Sequence, residues 1–160
     1  RKKILRLKPI GIIRSPFKKT VGMPIQTVFS KKGNGIVELF TEFKEGLRDL
    51  EGFSHIMLVY QFHKSKGYRL VCRPFLDEVQ RGIFATRAPA RPNPIGISIV
   101  QVKRIRGNKI EVASLDILDG TPLLDIKPNS FDRREIAVLF NQVFDFENGC
   151  HASSCLAHAA

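Results

Sequence analysis

Residues 84–96 read Phe84-Ala85-Thr86-Arg87-Ala88-Pro89-Ala90-Arg91-Pro92-Asn93-Pro94-Ile95-Gly96 and combine stiff backbone with strong hydrogen-bonding groups. Pro89, Pro92 and Pro94 fix φ and push the residues before them to extended geometry. Arg87 and Arg91 carry planar, forked cationic donors, and Asn93 carries an amide that both donates and accepts. Polar groups fixed on a stiff backbone keep a binding geometry at low entropic cost. The same residues would also suit a rigid surface loop whose arginines pair with local carboxylates. Composition alone does not separate the two.

A second segment, 114–128, places Asp116, Asp119, Asp125 and Lys127 among apolar neighbours. Ionised groups are costly there unless paired or used. Asp119-Gly120 by itself reads as a turn. No His accompanies the carboxylates at ligand spacing, so no metal is expected. His55 and His63 bracket one expected strand and, eight residues apart, share a face. A strand histidine of this kind is more often structural than catalytic. Cys150, His151, Cys155 and His158 match no standard zinc spacing, and residues 150–160 read as a frayed tail. Three cysteines (Cys72, Cys150 and Cys155) are too few for a disulfide framework and fit reduced thiols.

The elements that must position these groups are mostly short strands. Residues 5–8 alternate and 10–13 run apolar up to Ser15-Pro16. Residues 16–34 form a long polar loop, of a length usually functional or mobile. Strands are expected over 35–40, 55–62, 68–75, 97–105, 109–118 and 123–126, with Arg106-Gly107-Asn108 as a hairpin turn. A short helix should follow Thr41 as its cap, present Phe43, Leu47 and Leu50 on one face, and end at Gly52. A second helix begins with the Asp132 and Glu135 capping box, carries Ile136, Leu139, Phe140 and Val143 as its stripe, and stops at Gly149. No G-x-G-x-x-G opens a helix and no phosphate-binding loop is present, so a doubly wound nucleotide fold is not expected. The expected architecture is a mainly β, closed or nearly closed barrel with two peripheral helices, one domain over residues 1–149.

Charge narrows the partner. The 160 residues carry 26 Lys and Arg against 15 Asp and Glu, a net charge of +11. Residues 1–37 hold ten basic side chains and no Asp or Glu. Such a face attracts polyanions through counterion release, so nucleic acid is considered first, ahead of anionic membranes and acidic proteins. No apolar run approaches the ~20 residues that span a bilayer, and no signal peptide is expected. The expected location is the cytoplasm.

These segments together resemble the TsaA-like family, whose members include tRNA (adenine-N6)-methyltransferases. The resemblance rests on Ile10–Lys18, Met23-Pro24-Ile25-Gln26, Leu50–His55, Tyr60-Gln61-Phe62-His63, and the segments 84–98 and 115–128. Arg91–Gly96 and Asp119-Gly120-Thr121-Pro122 are its most specific runs. It implies a small barrel, usually a homodimer, that binds S-adenosylmethionine outside the doubly wound architecture. It further implies methyl transfer to N6 of threonylcarbamoyl-adenosine beside the anticodon of a threonine tRNA. Matching positions imply cofactor contacts from Gln26, Thr27, Val28, His63, Lys64, Arg87, Ile97, Leu115 and Asp116. Ile25 stands where the family commonly has arginine, Asn129 where it often has tyrosine, and no counterpart of the C-terminal domain of longer bacterial members is expected.

The implied chemistry needs in-line alignment of nucleophile and methyl, and a group to take the N6 proton. Asp116 and Asp119 are the candidates. Arg91, Asn93, Lys18 and Lys19 are the candidate RNA contacts. Two other readings compete: a basic RNA-binding barrel without catalysis, and a methyltransferase of the same fold acting on a small molecule.

Overall fold

The computed structural model describes residues 5–19, 33–74 and 78–129. Within them eight strands follow one another: β1 (Gly11–Arg14), β2 (Gly35–Leu39), β3 (His55–Gln61), β4 (Val71–Cys72), β5 (Arg81–Gly82), β6 (Ile95–Arg106), β7 (Lys109–Ala113) and β8 (Thr121–Pro128). Six close into an antiparallel barrel in the order β1-β2-β7-β6-β3-β8, with β8 returning to β1. The remaining pair, β4 and β5, forms a separate two-stranded ribbon. The barrel expected from the strand pattern is present.

Alternation decides which residues face inward. β3 buries Ile56, Leu58 and Tyr60 and leaves the residues between them partly exposed. Ile13, Val37, Val100, Ile110, Val112 and Leu123 complete the interior from the other strands. Burying one such aliphatic side chain stabilises the fold by about 1.5–3 kcal/mol. At Gly11 a β-carbon would strike Glu38 O and come within 2.9 Å of Leu39 Cα, so β1 and β2 approach closely only because glycine stands there.

Several expected elements are shorter or different. Residues 5–8 form no strand; β1 is paired only from Gly11 onward, opposite Leu39 and Leu123. The strand expected over 68–75 shrinks to Val71–Cys72, with Gly67 at φ 65° before it and Pro74 after it. The strand expected over 109–118 ends at Ala113, because Ser114 adopts φ 62° and turns the chain out of the ladder.

The helix expected after Thr41 is a 3-10 helix, Thr41–Leu47, followed by a second short one, Leu50–Gly52. Thr41 is its first residue rather than its cap; that position falls to Phe40, which makes no side-chain capping bond. Leu47, the last residue of the first turn, and Leu50, the first of the second, are both buried. Asp49, at φ 65°, separates the two turns. The helix expected over 132–149 and the tail over 150–160 lie outside the described residues. Among the described residues, no helix is long and apolar enough to cross a membrane.

Candidate active site

The departure of β7 opens one edge of the barrel. β7 pairs with β6 only from Gln101 onward, whereas β3 pairs with β6 from Ile95. Residues 115–118 therefore run past the first half of β6 without joining its ladder. Leu115 and Ile117 send their side chains into the core, fully buried, and half-buried Asp116 lies between them. This alternation resolves the cost of a carboxylate in an apolar run: the neighbours point in, and Asp116 meets a polar partner on β6.

That partner is Ser98. Its hydroxyl donates to Asp116 Oδ1 at 2.8 Å, and Tyr60 Oη lies 3.0 Å from Ser98 Oγ. A hydroxyl has one proton to give. With Ser98 committed to the carboxylate, Tyr60 must donate to Ser98, so the chain runs Tyr60 to Ser98 to Asp116. Burial pushes the Tyr60 phenol up to about 12, and the Asp116 charge adds to the shift; the Ser98 hydrogen bond and Arg87 act the other way. Tyr60 thus remains a donor at any ordinary pH.

Arg87 reaches the same edge. Its Nη2 donates to the Ile97 carbonyl at 2.5 Å, and its charge is felt at Tyr60. Arg91 does something different. Its Nη1 donates to the carbonyls of Thr86 at 2.6 Å, Ile83 at 3.3 Å and Ala88 at 3.4 Å. It holds the proline-rich loop in shape from inside. These hydrogen bonds of the two arginines go to main-chain carbonyls rather than to local carboxylates, and Arg87 commits only one nitrogen in this way.

His63 and Asp119 close the other side. Thr121 Oγ1 donates to Leu118 O at 2.7 Å, so at 3.2 Å it accepts from His63 Nδ1. This assigns the neutral ring its tautomer, with Nε2 as the acceptor. Burial, and then the charge of Lys64, lower the His63 pKa below its ordinary value. The strand ends at Gln61, so the shared face expected for His55 and His63 does not exist. Asp119 accepts from Lys18 Nζ at 2.5 Å and from the Ser15 N–H at 3.0 Å. The Lys18 hydrogen bond, followed by that of Ser15, holds its carboxyl below the usual range.

The segment 115–119 also grips both ends of the long loop. Asp119 N–H donates to Phe17 O at 2.8 Å, and Leu115 N–H donates to Gly33 O at 2.8 Å. Gln26, Thr27 and Val28 lie outside the described residues.

Asp116, Arg87 and Ile97 thus gather on one edge, and His63 stands past the end of β3, bonded to Thr121 at the start of β8. Leu115 is there too, but its side chain is core and only its main chain can face a ligand. Lys64 is exposed and donates to the Lys18 carbonyl at 3.4 Å. Asn93 is exposed, its carbonyl accepting from Ile95 N–H, and Lys19 is exposed. Tyr60, Ser98 and Thr121 stand within the runs that carry the resemblance, but no role in the site was expected of them. The available signal was a hydroxyl at an inward position of each strand. Among the described residues, no group of three or more His, Cys, Asp or Glu could hold a metal ion.

Three comparisons bear on this geometry. A family model described as the tRNA-methyltransferase O N-terminal domain matches residues 12–132. A "Probable S-adenosyl-L-methionine-binding protein" of Pyrococcus abyssi is 55% identical over 130 residues, 80% of this chain and 71% of that protein. The tRNA (adenine(37)-N6)-methyltransferase of Escherichia coli is 38% identical over 133 residues, 77% of this chain and 57% of that protein. The crystal structure of TrmO from Pseudomonas aeruginosa matches with a TM-score of 0.67 at 36% identity, over 79% of this chain and 56% of that one. The chain spans little more than half the length of these last two proteins.

Proposed function

The chain belongs to the tRNA-methyltransferase O N-terminal domain family, and from that premise we propose that it moves a methyl group from S-adenosylmethionine to N6 of an adenine in tRNA. The observation that carries the chemistry is Asp116, held by Ser98 and Tyr60 at an open strand edge beside Arg87.

The residues at this edge fit the cofactor. Ile97 is 45% exposed and offers an apolar surface to a flat base. The Asp116 carboxylate and the His63 Nε2 acceptor favour a cation, and Arg87 suits a carboxylate. S-adenosylmethionine supplies the methyl group from a sulfonium cation that becomes a neutral thioether.

The chain's own task is to align the acceptor nitrogen and remove its proton. The N6 lone pair is delocalised into the ring, so a positioned base helps as the new bond forms. Asp116 takes that proton. A carboxylate has about four lone-pair sites, so accepting from Ser98 does not exhaust it. Asp119 is poorly suited, because Lys18 and Ser15 already stabilise its charge and weaken it as a base. Its role in this reading is to hold Ser15, Phe17 and Lys18 in place. Asn93 and Lys19, both exposed, remain candidates for RNA contact, whereas Lys18 and Arg91 serve internal bonds.

The finer assignment follows the resemblance: threonylcarbamoyl-adenosine beside the anticodon of a threonine tRNA as acceptor, a homodimer, and a cytoplasmic location. Incubation with S-adenosylmethionine and tRNA, followed by mass spectrometry of the nucleosides, tests the reading. Methyl on N6 of one adenosine supports it. Cofactor bound with no methyl transferred to RNA refutes it, and equal methylation of tRNA with and without threonylcarbamoyl-adenosine refutes the finer assignment.

A further inference from the structure

The β4–β5 ribbon and the turn after it expose side chains of the kind that the barrel buries. Phe84 is 76% exposed, Tyr68 61%, Leu70 59% and Val71 51%. These exposed apolar groups lie within one short ribbon and the turn after it, and exposed apolar surface of this kind marks a place where something binds. The same stretch is strongly cationic: residues 64–91 hold seven Lys and Arg against Asp77 and Glu78. Arg69, Arg73 and Arg81 are all exposed.

The ribbon is firmly joined to the candidate active site. Ile83 N–H donates to Leu70 O at 2.9 Å and Arg69 N–H donates to Ala90 O at 3.1 Å, fixing residues 68–72 along the proline-rich loop. Arg91 stiffens that loop from inside, and Arg87 ties it to β6 at Ile97. Whatever lies on Phe84 and Tyr68 is therefore held at a set position relative to Asp116.

We propose that this surface binds the unpaired nucleotides around the target adenine, Phe84 and Tyr68 serving as stacking platforms and the ribbon arginines as phosphate contacts; the inference rests on the tRNA reading above. Single-stranded RNA is recognised by aromatic faces for splayed bases together with cations that follow the backbone. Both are present here. A second copy of the chain fits less well, because a two-fold interface sets a patch against itself and would press this cationic ribbon onto an identical one.

The test is tRNA affinity, measured without turnover by filter binding or anisotropy, for Phe84→Ala, Tyr68→Ala, Phe84→Leu and Phe84→Trp. Loss of one stacked base should weaken binding on the order of 10- to 100-fold in the alanine variants. Phe84→Leu, apolar but without an aromatic face, should be nearly as weak, and Phe84→Trp should restore binding. Affinity for S-adenosylmethionine by calorimetry and mass by light scattering should not change. Unaltered tRNA affinity in both alanine variants overturns the proposal. So does dissociation of a dimer in Phe84→Ala, which would make the patch a contact between copies. A wild-type chain that binds tRNA through Phe84 yet transfers no methyl would sink the methyltransferase reading and leave this surface standing.

Discussion

The ring of Tyr60 lies against the backbone of Gly96, its partner across β3 and β6. A β-carbon at Gly96 would stand 2.6 Å from Tyr60 Cζ and 2.8 Å from Phe62 Cζ. The two rings meet edge to face, 5.4 Å between centroids. The last glycine of the proline-rich run is thus required by an aromatic ring on the neighbouring strand. That ring carries the hydroxyl at the head of the chain ending on Asp116.

Gly96→Ala should therefore act at two levels. Overpacking of this kind costs about 1–3 kcal/mol, seen as a lower Tm. Displacing Tyr60 also breaks its bond to Ser98, so kcat should fall while affinity for S-adenosylmethionine changes little. Tyr60→Phe separates the effects, since it removes the hydroxyl and keeps the ring. If Tyr60→Phe retains the wild-type kcat, the hydrogen-bond chain positions nothing that matters to methyl transfer.

Asp116→Asn should lower kcat by about 10²- to 10⁴-fold, the usual contribution of a positioned base. The amide oxygen can still accept from Ser98, so the fold and Tm should be nearly unchanged. Single-turnover methyl transfer to tRNA measures this directly. Turnover within a few-fold of wild type would remove Asp116 as the proton acceptor.

Asp119→Asn should behave in the opposite way. Its carboxyl is held below the usual range by Lys18 and Ser15. The stabilisation it brings is present above the unfolded carboxylate pKa of about 4 and is lost as pH falls through the lower folded value. Wild type should therefore lose Tm below about pH 4 more steeply than the variant. Lys18 is largely exposed, so salt should weaken the same contribution. Thermal scans at pH 3, 5 and 7 check this prediction, and identical acid profiles for the two proteins would contradict it.

Much of the barrel was legible because its signals are local. Alternation in 55–62 and the turn at 106–108 need no knowledge of the rest of the chain. The end of β7 was missed although the apolar positions slip by one there: Ile110 and Val112 keep the ladder's phase, whereas Leu115 and Ile117 resume it one residue late, after Ser114 turns the chain at φ 62°. The candidate site divides in the same way. Asp116 and Arg87 stand out by type, but Tyr60, Ser98 and Asp116 join only through contacts 38 and 18 residues apart. Arg91 looked like a ligand for phosphate, since its fork serves carbonyls and phosphates equally well. Only the folded loop shows which acceptors it found.

Arg87→Lys should impair function although it preserves the charge. The fork spends one nitrogen on the Ile97 carbonyl and keeps further donors for a ligand, which an ammonium on a flexible stem cannot reproduce. We expect weaker S-adenosylmethionine binding or slower turnover, with Tm within about 1 kcal/mol equivalent of wild type. Wild-type kinetics would show that Arg87 serves the surface alone.

His63 supplies the last prediction, on pH. Its pKa lies below the ordinary value of about 6.5 because the ring is partly desolvated and Lys64 adds a like charge. A histidine lowered in this way contributes stability above the unfolded pKa and loses it as pH falls through the folded one. Binding should follow the same course. Near neutral pH the ring is uncharged, with Nδ1 donating to Thr121 and Nε2 available to accept, a setting compatible with a cationic cofactor. Protonation places a positive charge where the sulfonium or the ammonium of S-adenosylmethionine would approach, so affinity should decline as pH falls below the ordinary imidazole value of about 6.5. His63→Gln can keep a donor to Thr121 and an acceptor toward the cofactor, and calorimetry should show a flatter pH profile for it. Lys64→Met removes the neighbouring charge, so the decline should move toward higher pH. Were wild type and His63→Gln to lose affinity in parallel as pH falls, the proton responsible would sit on another group, and His63 would be left as a structural partner of Thr121.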